Sequence, residues 1–90
     1  MRVLDIGCGA GVTGERLKER GIKEVVGVEL NKDAYGEAQK HLDKVFLGDI
    51  EKIELPFGKG SFDCIIYGDR LEHLIDPWSV LERYSYFLEG

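Results

Sequence analysis

The run Val3 to Gly11, V-L-D-I-G-C-G-A-G, constrains the fold more than any other stretch, because an apolar segment carrying an acid is followed at once by three alternating glycines. Val3, Leu4 and Ile6 suit a strand buried on both faces, and Gly7, Gly9 and Gly11 admit positive φ and close backbone approach. Beyond them, Val12 to Arg20 is rich in helix formers and stops at Gly21, a C-terminal cap. The stretch reads as strand, tight turn and helix. A helix start of this kind offers N–H groups and the positive end of a dipole as a seat for an anionic group of a small ligand.

The same pattern recurs downstream. Glu24 to Leu30 is a second buried strand with the acid Glu29 near its end, and Asn31 can cap a helix from Lys32 to about Leu42, on which Ala34, Ala38 and Leu42 share one face. Lys44 to Leu47 is a short third strand closed by Gly48-Asp49. Ile50 to Gly60 reads as a loop whose only apolar patch is Leu55-Pro56-Phe57. Phe62 to Tyr67 is the fourth strand, ended by Gly68-Asp69, and Asp76-Pro77 starts a helix on which Trp78, Leu81, Tyr84 or Ser85, and Leu88 recur at helical spacing. Trp78 reads as a core or interface residue. Alternating strands and helices imply right-handed βαβ units, hence an α/β, Rossmann-like parallel sheet in the order 3-2-1-4 with flanking helices. The gap between strands 1 and 4 is then the topological switch point, where Asp5, Glu29, Asp49 and Asp69 gather near strand carboxyl ends.

Ninety residues, 43% hydrophobic and 32% charged, fit a single globular domain over 1–90. No apolar run approaches the roughly 20 residues of a membrane span, and the first residues lack the pattern of a secretory signal, so a cytoplasmic location is expected. Seventeen acids against twelve Lys and Arg give a net charge of −5 with no basic stripe, which disfavours direct nucleic-acid binding. Cys8 and Cys64 lack C-x-x-C spacing and fall at different levels of neighbouring strands, so two thiols and no metal site are expected.

Gly9-x-Gly11-x-x-Gly14, with Glu29 twenty residues after Gly9, matches the spacing of a dinucleotide fingerprint. Asp5 opposes that reading, because its charge lies where a pyrophosphate would sit; a ligand with a cationic centre fits better. Gly14 reads as a helix residue that packs closely on the sheet. Taken together, V-L-D-I-G-C-G-A-G, the acid Glu29, G-D-I at 48–50 and F-D-C-I-I-Y-G-D-R-L-E-H-L-I-D-P at 62–77 resemble the successive motifs of class I S-adenosylmethionine-dependent methyltransferases, in order and over nearly the whole chain.

The resemblance implies S-adenosylmethionine as cofactor. The backbone of Gly7, Cys8, Gly9 and Gly11 would seat its methionine portion, with Asp5 near the ammonium and the Cys8 side chain a small apolar filler. Glu29 would accept from both ribose hydroxyls and Asp49 from the adenine amino group, between apolar walls supplied by Leu30 and Ile50. Tyr67 and Gly68 would place backbone beside the transferable methyl. His73 is the candidate catalytic base, set against the plainer readings of pocket lining or surface exposure. Glu72 reads as solvated or capping, and Asp76 as structural. A small-molecule acceptor is expected; a non-catalytic cofactor-binding module and an NAD-type fragment are the alternatives. The family sheet has seven strands, so four imply an incomplete fold, either an excerpt of a larger methyltransferase or a chain that pairs with another along the fourth-strand edge.

Overall fold

The four apolar runs form strands β1 (Arg2–Ile6), β2 (Glu24–Glu29), β3 (Lys44–Leu47) and β4 (Cys64–Tyr67), all parallel and in the spatial order β3-β2-β1-β4. The computed structural model describes residues 1–68 and 76–88. Helices α1 (Val12–Glu19) and α2 (Lys32–Ala38) connect the first three strands, and α3 (Pro77–Ser85) follows β4 and runs into a 3₁₀ turn, Tyr86–Leu88. The expected strand order and α/β class are both present.

Strand alternation sorts the apolar side chains into two layers. Leu4, Ile6, Val26 and Val28 point to one face, where they pack with Ile50, Phe62, Val80, Tyr84 and Phe87 beneath α3 and the 50–57 segment. Val3, Val25 and Val45 point to the other, against Cys8, Ala38 and Leu42 with Leu17 and Tyr35 beside them, under α1 and α2. Covering both faces is what lets β1 and β2 carry apolar side chains on both sides of the sheet. The Leu55-Pro56-Phe57 patch closes one end of the first layer: Phe57 meets Phe46 and Phe62 edge to face at 5.8 and 5.0 Å between centroids, and the Arg2 guanidinium lies 4.8 Å over the Phe62 ring.

Four boundaries or faces differ from the sequence expectation. Helix α2 closes at Ala38, and residues 39–42 continue as turns in which His41 N–H and Leu42 N–H both donate to Ala38 O; Leu42 still reaches the core. Strand β2 stops at Glu29, because Asn31, two residues on, is already the N-cap of α2. Strand β4 begins at Cys64, opposite Val3, because Phe62 N–H donates to Phe87 O and not into the strand ladder. On α3 the buried stripe is Val80, Tyr84 and Phe87, while Trp78 is 77% exposed and Leu88 is exposed. Trp78 is therefore not core. Tyr84, at helical spacing from both sets of apolar residues, is buried with Val80 and Phe87, and its O–H reaches Ile50 O at 2.7 Å, which satisfies its polar group there.

Candidate functional site

The end of β1 turns through three glycines at φ 76° (Gly7), 59° (Gly9) and 89° (Gly11), a left-handed path that residues with a Cβ resist. Gly7 N–H and Cys8 N–H both donate to Val28 O, at 2.8 and 3.0 Å, which pins the start of the turn to the end of β2. Helix α1 begins at Gly11 with no side-chain cap. A Cβ added to Gly9 would meet nothing within 4 Å, so the outer side of the turn is open.

The Cys8 side chain points the other way, into the core over Gly27, as its reading as an apolar filler requires. A Cβ on Gly27 would lie 2.7 Å from Cys8 Sγ and 2.8 Å from Leu42 Cδ1. Gly27→Ala should therefore destabilise the protein by about 1 to 3 kcal/mol through overpacking, and chemical denaturation followed by circular dichroism measures it; an unchanged midpoint would show that this layer has slack. Gly14 packs as expected, since a Cβ there would collide with Leu42 Cδ2 and lie 3.1 Å from Val25 Cγ1. Cys8 and Cys64 are both thiols.

Glu29, 9% exposed, spans the turn: its Oε1 accepts from Gly9 N–H at 2.8 Å and its Oε2 from Asn31 N–H at 2.9 Å. Asn31 in turn caps α2, with Oδ1 accepting from Ala34 N–H. Asp5, 1% exposed, sits beneath the turn between Gly27 and Ile66 of the flanking strands. At the end of β4, Gly68 N–H donates to Ile6 O at 2.7 Å, and a Cβ on Gly68 would collide with Gly7 O and lie 3.2 Å from Asp5 Oδ1. The ends of β1 and β4 are thus in direct backbone contact at the switch point. Tyr67 is half-buried, and burial pushes its phenol up, which keeps it neutral.

The fourth acid from the strand ends, Asp69, lies outside the described residues, as do Glu72 and His73. Asp49 stands after β3, where Gly48 N–H donates to Glu29 O at 2.9 Å and so joins the third strand end to the second. Asp49 Oδ1 accepts from Glu51 N–H at 2.9 Å, and its carbonyl accepts from Lys52 and Ile53, so residues 49–53 form one closed turn. Leu30 is 65% exposed at the rim, whereas Ile50 is 5% exposed and largely part of the core. Tyr84 supports the turn from below; burial pushes its phenol up to about 12, so it is a neutral donor to Ile50 O. Sequence reasoning missed this support and that of the Arg83 guanidinium, which donates to Glu51 O at 2.7 Å, because the contacts span about thirty residues and leave no local pattern. Among the described residues no three His, Cys, Asp or Glu side chains converge as metal ligands, and no helix is long and apolar enough to cross a membrane.

Comparison with known proteins places the chain in a family. The family model for a methyltransferase domain matches residues 4–88. The chain is 33% identical to a ubiquinone biosynthesis O-methyltransferase of Bradyrhizobium diazoefficiens, over 99% of this chain and 36% of the relative, and 34% identical to a putative methyltransferase of a Geobacillus species, over 98% and 37%. It spans about a third of the length of these curated relatives. Among solved structures, an S-adenosylmethionine-dependent methyltransferase from Mesorhizobium loti superposes with a TM-score of 0.84 at 25% identity, covering 99% of this chain and 42% of that one. The chain belongs to the methyltransferase domain family and has the Rossmann-like fold of its class I, S-adenosylmethionine-dependent members.

Proposed function

We propose that this chain is the cofactor-binding part of an S-adenosylmethionine-dependent methyltransferase acting on a small-molecule acceptor in the cytoplasm. The observation that carries the reading is the geometry of Glu29. A carboxylate offers about four lone-pair positions; Gly9 N–H and Asn31 N–H take one on each oxygen. One position per oxygen is left for a pair of adjacent hydroxyls, which is what a ribose presents. The open outer side of Gly9 and the uncapped start of α1 fit the carboxylate of an amino-acid moiety next to that ribose.

S-adenosylmethionine, when bound, supplies a methyl group activated by a sulfonium. The protein's part is to hold and orient. Glu29 fixes the ribose, the Gly7–Gly11 backbone receives the methionine portion, and the Asp5 carboxylate beneath the turn favours cationic groups over a pyrophosphate. Asp49 would accept from the adenine amino group, with Leu30 and Ile50 as apolar walls for the ring. The backbone at Tyr67 and Gly68 borders the position of the reacting methyl, where alignment with the acceptor atom and exclusion of water supply most of the rate. His73 is the proposed proton acceptor for a hydroxyl substrate. The ubiquinone biosynthesis assignment of the relatives supports a small-molecule acceptor.

Calorimetric titration with S-adenosylhomocysteine and with NAD tests the cofactor reading, and transfer of label from S-adenosylmethionine to a panel of small acceptors tests the activity. Binding is expected for S-adenosylhomocysteine alone. Binding of NAD in its place would overturn the proposal.

A further inference from the structure

Four consecutive carbonyls, those of Ile50 to Ile53, all accept from two consecutive residues of α3. The Tyr84 O–H donates to Ile50 O at 2.7 Å, and the Arg83 guanidinium donates to Glu51 O at 2.7 Å, to Lys52 O at 3.0 Å and to Ile53 O. These carbonyls belong to the turn that Asp49 begins: Asp49 O accepts from Lys52 N–H at 2.9 Å and from Ile53 N–H at 2.7 Å. Carbonyls aligned at the end of a turn form a negative pole, and a planar guanidinium meets several of them at once with a full charge. A lysine at this place would supply the charge without the fork.

The arrangement leaves Asp49 little freedom. Its Oδ1 is held by Glu51 N–H, within the turn whose carbonyls Arg83 gathers, and Ile50 is held through its own carbonyl by a fully buried tyrosine. Neither Arg83 nor Tyr84 is among the residues proposed to touch the cofactor.

We propose that Arg83, assisted by Tyr84, is the positioning residue for the base-recognising end of the site: by clamping the 49–53 turn it aims the Asp49 carboxylate and thereby sets the preference for a purine carrying a 6-amino group. The inference rests on the role given to Asp49 under the proposed function.

The test is a ratio of affinities, measured on the intact protein by calorimetry with S-adenosylhomocysteine and S-inosylhomocysteine, in which a carbonyl oxygen replaces the amino group. The unaltered protein should prefer the adenosyl ligand by about tenfold or more, since a carboxylate rejects an acceptor placed where it expects a donor. Arg83→Met should bring that preference to within about twofold, and Arg83→Lys should restore only part of it. A purely structural role would lower the melting temperature and weaken both ligands by the same factor; an unchanged ratio in Arg83→Met overturns the inference and leaves the cofactor reading intact. Equal affinity of the unaltered protein for both ligands also overturns it, by removing Asp49 from base recognition. Failure of the unaltered protein to bind either ligand overturns the cofactor reading and the inference together. If Arg83→Met melts below the assay temperature, Tyr84→Phe decides, because it keeps the core ring and removes only the hydroxyl on Ile50 O: a ratio lowered about threefold or more supports the clamp, and an unchanged one overturns it.

Discussion

Glu29→Ala should weaken S-adenosylhomocysteine binding about 10- to 100-fold, or roughly 1.4 to 2.7 kcal/mol, and should also destabilise the free protein. Both effects follow from one carboxylate with two duties. Toward the ligand it offers one acceptor position per oxygen. Toward the protein it satisfies Gly9 N–H at 2.8 Å and Asn31 N–H at 2.9 Å, joining the glycine turn after β1 to the cap of α2. Hydrogen bonds to a charged acceptor contribute about 1.5 to 3 kcal/mol each, and water entering an alanine-sized gap recovers part of that, so a loss of about 2 to 4 kcal/mol is expected. Against the roughly 0.05 to 0.15 kcal/mol per residue by which folded proteins are stable, about 5 to 13 kcal/mol over ninety residues, that is a large fraction. Glu29→Gln separates the duties. Glutamine keeps one acceptor oxygen and turns an NH₂ toward either Gly9 N–H or Asn31 N–H, donor against donor, so it should recover about half of the stability and little of the affinity. Thermal unfolding with and without ligand reads both quantities. Unaltered affinity in Glu29→Ala would remove the residue from the site, whereas lost affinity at unaltered stability would mean that the turn is held by the Val28 O contacts alone.

The sequence made the sheet legible because its signals are local. Each strand is a short apolar run ended by an acid or a glycine, and the pattern strand, turn, helix fixes both the direction and the order of the strands once right-handed crossovers are assumed. The glycine turn was equally legible, since all three of its glycines adopt the positive φ that their spacing suggests. What escaped was everything that depends on which of two equivalent solutions the tertiary structure selects. Helix α3 and the turn after it could have buried Trp78 and Leu88 or Val80 and Phe87, with Tyr84 at helical spacing from both; periodicity does not choose between them, and the fold buries Val80 and Phe87 with Tyr84 bonded to Ile50 O. Ala34, Ala38 and Leu42 keep helical spacing beyond the end of α2 at Ala38, because Leu42 reaches the core from a turn. In the site, Glu29 was legible as an acid at a strand end. That its two oxygens already serve two backbone amides was not, because those amides lie twenty residues before it and two residues after it.

Gly68→Ala should be the most damaging single-methyl change near the site, because the added carbon has nowhere to go. Its Cβ would run into the carbonyl oxygen of Gly7, with Gly7 C at 3.3 Å and Asp5 Oδ1 at 3.2 Å behind it. These are backbone atoms and a buried carboxylate, not the mobile ends of long side chains. Nor can the chain simply back away, since Gly68 N–H is bound to Ile6 O at 2.7 Å and Gly7 N–H to Val28 O at 2.8 Å. Relief requires the end of β4 to separate from the glycine turn, at about 1 to 3 kcal/mol of stability, and the displacement falls on the backbone that borders the proposed methyl position. Affinity for S-adenosylhomocysteine should drop about tenfold or more, and turnover by the intact enzyme should drop further, since transfer depends on alignment more steeply than binding does. Gly36→Ala is the matched control: it lies inside α2, a Cβ there meets nothing within 4 Å, and alanine in a helix interior should raise stability by about 0.5 to 1 kcal/mol with no change in affinity. If Gly68→Ala behaved like Gly36→Ala in both measurements, the close approach of β1 and β4 would have no role in shaping the site, and the methyl position would have to be sought elsewhere along the strand ends.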